Sequence, residues 1–301
     1  MGMKKIIGGL VEHWVMTAGP DYRMRLLRNL AAAFGVDAVI RTGANGEIEG
    51  FLRDGLFVHY LRDGEWAPAT LRIFTEFFEK HGLGTYIDVG ASIGLTLVPM
   101  ARIQGLRCIG IEASPLIFSV LQRNLIRSCS DGRVSLHNVA IFEKSGEVCL
   151  EISDTNYGDN RVRSMSAPGE YQEDARRTLM VNAIRLDDLI PADSLQRPLA
   201  IKMDIQGSEP YLFLGAPKLV DATDLLLTEF WPYGLSRLGY DAEDFLKMIG
   251  RSFKVGAFVD RAIQPSSGLM PFDQLIECIR ERSRDCGTQH FDLVLCKEPR
   301  F

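Results

Sequence analysis

The residues of this 301-residue chain best suited to holding a ligand are two acids and a glycine bend. An apolar run, Tyr86-Ile87-Asp88-Val89, breaks into Gly90-Ala91-Ser92-Ile93-Gly94. A second run ends in Glu112, 22 residues after Gly90. A glycine-rich turn from strand to helix presents backbone N–H groups to a polar or anionic ligand and lets it approach the backbone. The dinucleotide pattern G-x-G-x-x-G fails because position 92 is Ser, and the phosphate loop fails because no lysine follows Gly94. Asp88, just ahead of the bend, would repel a pyrophosphate but suits an ammonium or a bridging water. An acid at the end of the second strand can accept both hydroxyls of a ribose. The expected ligand therefore has a ribose and an amino group without a diphosphate, a description that S-adenosylmethionine fits. The competing reading is a pair of glycines that serve only tight packing.

These residues need a frame to position them. From Thr85 onward, strand-like and helix-like segments alternate: "TYIDV" then "SIGLTLVPMARIQG", "RCIGIEA" then "SPLIFSVLQRNLIRS", "PLAIKMDI" then "GSEPYLFLGAPKLV", "DLLLTEFW" then "DAEDFLKMIG". Such alternation predicts a mostly parallel sheet covered on both faces, with right-handed crossovers. Ser114 can cap its helix with Pro115 at the first position, and Pro99 is expected to kink the helix it interrupts. "RVSLHNVAIF" and "EVCLEIS" read as further strands, and "SFKVGAFVD", a helix near 271–284 and "HFDLVLCKE" close the pattern. Residues 1–83 form an N-terminal extension and 84–301 the main domain. In the extension, residues 1 to about 34 read as helical, two β-like runs flank Asp54-Gly55 as a hairpin, and "ATLRIFTEFFEKHG" reads as a helix stopped by Gly82. The segment from Asp154 to Thr178 is the one long irregular stretch, a length at which loops often serve as lids.

Composition excludes several classes. The net charge of −5 disfavours a broad nucleic-acid footprint, which needs clustered Lys and Arg. The six cysteines include no C-x-x-C pair and read as reduced thiols of a cytoplasmic protein. The apolar N-terminal run is too short for a membrane span and is interrupted by Glu12 and His13, unlike a signal peptide; it suits packing on the body or on a second copy in a homodimer.

In open α/β sheets, ligands bind beyond the carboxyl ends of the strands. Side chains alternate along a strand, so Lys202 and Asp204 share one face and Glu229 belongs to the neighbouring strand. If those strands are adjacent, Lys202, Asp204 and Glu229 cluster at the sheet edge, either as a structural ion pair or as catalytic groups. A hydroxyl acceptor needs a base to take its proton; Asp204 is the first candidate and Glu229 the second, with His59 and His137 as weaker ones. Asp204, Glu209 and Glu229 as magnesium ligands are the alternative to a metal-free site. Phe230, Trp231, Tyr233 and Tyr157 could wall the acceptor.

The stretches "YIDVGASIGLTLVPMAR", "GIEASPLIFSVLQRNL", "LHNVAIFEKSGEVCLEIS", "VNAIRLDDLI", "LAIKMDIQGSEPYLFLGA" and "LLLTEFWP" together resemble the FkbM family of S-adenosylmethionine-dependent methyltransferases, over residues 85 to 232. The most specific piece is Lys202-x-Asp204-x-x-Gly207-x-Glu209; Gln206 stands where members of that family mostly carry Glu. The resemblance implies the class I methyltransferase fold, a seven-stranded Rossmann-like sheet of order 3-2-1-4-5-7-6 with strand 7 antiparallel, and O-methylation of a sugar or secondary metabolite. It also implies that Asp88, Gly90, Ala91, Ser92 and Gly94 hold the methionyl end, that Glu112, with Ala113 and Ser114, holds the ribose, and that Asn138, Val139 and Ala140 lie near the adenine. N- or C-methylation, and a non-catalytic Rossmann-like binding module, are the competing functions.

Overall fold

The computed structural model describes residues 29, 33–129, 132–259, 268–285 and 287–298. The expected N-terminal helix, and with it the dimer contact assigned to the chain's apolar start, falls almost wholly outside the described residues.

The described chain opens with an antiparallel hairpin, β1 (Ala38–Gly43) and β2 (Gly46–Phe51). Helices α1 (Gly55–Asp63) and α2 (Pro68–His81) follow. The hairpin thus lies one segment earlier than expected, and the second run is α1 rather than a strand. The Asp54 side chain accepts the Leu56 N–H as a helix cap, and Gly64 ends the helix at φ 73°. An Asp-Gly pair read as a hairpin turn is here a helix start, because Asp is also a preferred N-cap.

The main sheet collects β3 (Thr85–Val89), β4 (Arg107–Ile111), β5 (Val134–His137), β10 (Leu199–Met203), β11 (Leu225–Phe230), β12 (Val255–Phe258), β13 (Met270–Pro271) and β14 (Phe291–Cys296). Its order is β13-β12-β14-β11-β10-β3-β4-β5. The five strands from β5 to β11 are parallel, and β14 runs antiparallel between β11 and β12. This is the class I methyltransferase order 3-2-1-4-5-7-6 with an antiparallel seventh strand, extended by the two-residue β13 at one edge. A second sheet of order β6-β9-β7-β8 comprises β6 (Ala140–Ile141), β7 (Gly146–Ile152), β8 (Arg161–Val162) and β9 (Arg177–Ile184). The segment expected to be irregular from 154 to 178 therefore contributes β8 and the start of β9.

Alternation along the central strands divides the core in two. Tyr86, Cys108, Ala200, Leu225 and Leu227 face one layer, which they share with Ile48, Phe57 and Phe74 of the extension. Ile87, Val89, Ile109, Ile201 and Met203 face the other, with Leu212, Phe245 and Ile249. The extension thus completes one side of the core instead of forming its own, with the expected 83/84 boundary in the turn between α2 and β3.

Crossovers after β3 and β4 are α3 (Leu97–Ala101) and α4 (Pro115–Ser128). The expected kink at Pro99 is absent: α3 starts only at Leu97, so Pro99 lies in the first turn, where the missing N–H has no helical partner to lose. Ser114 is the N-cap residue of α4 without a side-chain cap bond. Between β9 and β10 lies α5 (Leu186–Leu189); α6 (Glu209–Gly215) and α7 (Pro217–Ala222) follow β10. The C-terminal part adds α8 (Pro232–Arg237), α9 (Ala242–Ser252) and α10 (Phe272–Asp285). No described helix is long and apolar enough to cross a membrane.

Candidate active site

A cleft opens at the carboxyl ends of β3, β4 and β10, where a parallel sheet leaves its strand ends uncovered. Gly90, Ala91, Ser92, Glu112, Ala113, Val139 and Ala140 line it, together with Lys202 and Asp204. Of the other expected ligand residues, Asp88, Gly94, Ser114 and Asn138 stand behind the wall.

The bend is tied to β4 rather than left open. Gly90 N and Ala91 N both donate to Ile111 O, and Ser92 N donates to Glu112 Oε2 at 3.0 Å. Those three N–H groups are therefore spent within the fold, contrary to the expectation of outward donors. Backbone conformation and packing both require the glycines: Gly90 takes φ 81° and Gly94 φ 94°. A Cβ on Gly90 would sit 1.9 Å from Asp204 O, and one on Gly94 would meet Leu121 at 2.8 Å. Between them Ser92 takes φ 48°, with its buried hydroxyl unpartnered among the described residues at the cleft wall.

Glu112 ends β4 with both oxygens anchored, Oε1 accepting from Ser114 N at 2.8 Å and Oε2 from Ser92 N. Each oxygen keeps a lone pair for a ligand. Burial pushes its carboxyl up to about 7, opposed by the N–H groups of Ser114 and Ser92. Asn138 donates to the backbone oxygens of Glu112 and Ala113, so it braces the end of β4 while its neighbours Val139 and Ala140 meet the cleft.

Asp88 is fully buried. It accepts from Thr96 Oγ1 at 2.5 Å and from Lys202 Nζ at 3.3 Å. Burial raises its carboxyl above the usual range while Lys202 and Thr96 oppose the rise. Lys202 also reaches Asp204 Oδ2 at 3.6 Å. Burial works against its charge, but the two carboxylates more than offset this and hold its pKa above the ordinary lysine value.

The charge cluster expected of Lys202, Asp204 and Glu229 is thus rearranged. β10 and β11 are adjacent, but Lys202 stands opposite Asp88 and Leu227, and Glu229 joins Asp204 only through Gln206. Gln206 Nε2 donates to Asp204 Oδ1 at 2.7 Å and to Glu229 Oε1 at 3.3 Å. The Asp204 side chain is 41% exposed and Glu229 is 2% exposed. Burial, then Asp204, Glu209 and Asp292, push Glu229 well above the usual carboxyl range. Its burial, against the open position of Asp204, leaves Asp204 the better placed of the two expected bases. Among the described residues no three His, Cys, Asp or Glu side chains are arranged to hold a metal ion. His59 lies exposed on α1 beside Arg62, and His137 ends β5, its pKa lowered by burial.

The sequence reading missed Arg161. It lines the same cleft, is 4% exposed, and lies over the Trp231 ring at 4.8 Å and the Tyr171 ring at 5.4 Å. Its Nε donates to Glu151 Oε1 at 2.7 Å and its Nη2 approaches Glu173 at 3.5 Å. Three arginines within residues 161–176 were the available signal. A second cleft beyond this wall is lined by Asp159, Tyr171, Arg176, Gln206, Trp231 and His290, among others. Trp231 and Tyr171 thus wall it, while Phe230 packs in the core instead.

The parallel sheet order and a cleft bounded by the β3 bend and the β4 acid define a class I S-adenosylmethionine-dependent methyltransferase. The sequence signature of the Methyltransferase FkbM domain matches residues 88–250, more than half of the chain, and the chain belongs to that family. Among solved structures the chain is similar to TYW2 of Pyrococcus horikoshii in complex with MeSAdo, at 14% identity and TM-score 0.41, covering 92% of this chain and 84% of that one. It is also similar to magnesium protoporphyrin IX methyltransferase of Synechocystis PCC 6803 with bound SAM, at 10% identity and TM-score 0.39, covering 77% and 78%. No curated protein sequence matches.

Proposed function

We propose that this methyltransferase acts on a hydroxyl oxygen of a small molecule, with Asp204 as the proton acceptor. The observation that carries the reading is the Asp204 carboxylate. It directly follows β10 at the cleft, stays partly open to solvent, and is fixed by Gln206 on one oxygen and approached by Lys202 on the other. A base must be within hydrogen-bond reach of the proton it takes, and a hydroxyl is a poor nucleophile without one.

The residues present fit S-adenosylmethionine. Glu112 offers free lone pairs to ribose hydroxyls, Ala113, Val139, Ala140 and Ile141 give an apolar wall for a base, and the unpartnered Ser92 hydroxyl awaits a polar group. Asp88 supports this wall from behind through Lys202, which lines the cleft. When bound, the cofactor supplies a methyl group on a sulfonium centre. The chain's task is to exclude water, hold the acceptor oxygen in line, and receive its proton. The second cleft, walled by Tyr171 and Trp231, is where the acceptor body would lie, and sugars or secondary metabolites are the acceptors to try first.

Calorimetry with S-adenosylhomocysteine, followed by a screen of hydroxylated metabolites with labelled methyl donor, tests the reading. Saturable binding at tens of micromolar or tighter, with label appearing on oxygen, is expected. No binding would remove the enzyme assignment, and label on nitrogen or carbon would remove the acceptor assignment.

A further inference from the structure

A line of polar side chains crosses the carboxyl edge of the sheet from the buried interior to the surface. It runs Asp88, Lys202, Asp204, Gln206, Glu229, His290, with successive contacts of 3.3, 3.6, 2.7, 3.3 and 3.5 Å. The outer end is wet, since the His290 side chain is 57% exposed. Glu229 is the odd member. Its Oε2 is buried and has no hydrogen-bond partner among the described residues. The acids that face it come from every side: Asp204 at the end of β10, Glu209 at the start of α6, Asp292 on β14, and Asp159 ahead of β8. His290, ahead of β14, is the one cation-capable side chain within 4 Å of it among the described residues.

Asp204 is paired with Lys202 and Asp159 with Arg161 and Arg176, but an ionised Glu229 would itself be a buried charge met by one amide N–H and a solvent-facing imidazole. Such a charge is expensive, and the group avoids it by keeping its proton. Gln206 fits that state. It adopts φ 56°, a left-handed conformation costly for a residue with a side chain. In that conformation its amide nitrogen lies between Asp204 Oδ1 and Glu229 Oε1. A glutamate at 206 would instead put a third carboxyl in contact with those two.

We infer that Glu229 is a positioning residue that works as the neutral carboxylic acid: its Oε1 holds the Gln206 amide, and that amide fixes Asp204 Oδ1 so that Oδ2 is left to Lys202 and the cleft. Of the acids along this edge, Asp204 is then the one whose carboxylate opens on the cleft. The consequence for methyl transfer rests on the reading given under Proposed function; the protonation of Glu229 does not.

Infrared difference spectra of the native protein against Glu229→Gln, taken near pH 7, test it. A neutral carboxyl C=O band is expected in the native protein and absent from the variant. Thermal unfolding adds a second readout. A carboxyl whose pKa is higher folded than unfolded takes up a proton on folding, so native stability falls as pH rises above about 4.5. Glu229→Gln lacks this loss, and its Tm advantage should grow by roughly 3 °C per pH unit as pH rises from about 5 to 7. Glu229→Ala, which removes the acceptor of Gln206, should lose Tm throughout, and recovery by Gln but not Ala separates a held amide from mere bulk. Carboxylate bands from Glu229 near pH 7, or parallel Tm curves for native and Glu229→Gln, overturn the inference. If Glu229→Gln does not fold, 13C-glutamate-labelled protein carrying Glu112→Gln and Glu209→Gln decides: a neutral carboxyl band near pH 7 supports the inference, and its absence overturns it. Failure of the methyl-transfer reading would show separately, as native protein that binds no S-adenosylhomocysteine while these spectra are unchanged.

Discussion

Lys202 of β10 and Asp88 of β3 stand opposite each other in the parallel register, with Nζ 3.3 Å from Oδ1 in a site from which solvent is nearly excluded. Attraction between them is countered by the cost of burying both charges, so their worth shows only when one is removed. Lys202→Met leaves Asp88 with Thr96 and Tyr86 alone. Losing one partner of a buried pair costs about 3–5 kcal/mol, a fall in Tm on the order of 10 °C. The double variant Asp88→Asn/Lys202→Met should recover much of that fall in a thermal double-mutant cycle. Additive losses would mean that the two side chains are not coupled.

Cofactor affinity should depend on pH through Glu112. Its folded value of about 7 reflects burial, and ribose hydroxyls donate best to the ionised form. Calorimetric affinity for S-adenosylhomocysteine should therefore be full above pH 7 and fall about tenfold per unit below it. Glu112→Gln should bind more weakly by roughly 10- to 100-fold, as expected for a lost hydrogen bond to a charged group, and show a flat profile below pH 7.

Asp204→Asn should lower the methyl-transfer rate by about 10²- to 10⁴-fold, the usual contribution of a positioned base. Affinity for S-adenosylhomocysteine should stay within about threefold, a margin chosen as small beside a lost charged hydrogen bond. Steady-state kinetics with whichever acceptor takes up labelled methyl, alongside calorimetry, separates the two effects. Full activity of the variant would point to an acceptor that needs no base.

The central sheet was legible in the sequence because β3, β4, β10 and β11 are short, mostly buried apolar runs, each leading into a helix with its own period. The place of Glu112 at the cleft was legible because strand ends at a parallel sheet's rim are where ligands bind, whereas Asp88, expected beside the ligand, is buried against Lys202 and Thr96. The Asp54-Gly55 turn was misread because the same dipeptide starts helices and closes hairpins. The role of the bend was only half legible. Its glycines answer to the Asp204 carbonyl and to Leu121, which are far away in sequence. The Lys202–Asp204 contact was expected, but the second partner, Asp88, was not, since alternation gives the face but not which residue of the next strand lies opposite. Arg161 lay hidden in a stretch whose polar composition looks like a loop until tertiary partners bury it.

Arg161 offers the last test. Its guanidinium lies between Glu151 and Glu173 and over Trp231, while Arg163 and Tyr233 hold the same two acids from outside. Arg163 also donates to the backbone of Glu173 and of Arg176, and Tyr233 receives the Glu170 N–H, so the segment 163–176 is anchored through this centre. Arg161→Met keeps much of the apolar stem but leaves two buried carboxylates one cation short. The expected loss is about 3–5 kcal/mol, with Tm lowered on the order of 10 °C. Amide hydrogen exchange should rise most within 163–176, because that segment has few apolar contacts to replace the lost charge. Arg161→Lys retains the charge but not the planar fork that spans two carboxylates and stacks on an indole, so it should recover only part of the Tm. If exchange rises evenly across the sheet instead, Arg161 braces the whole fold rather than the cover over the second cleft.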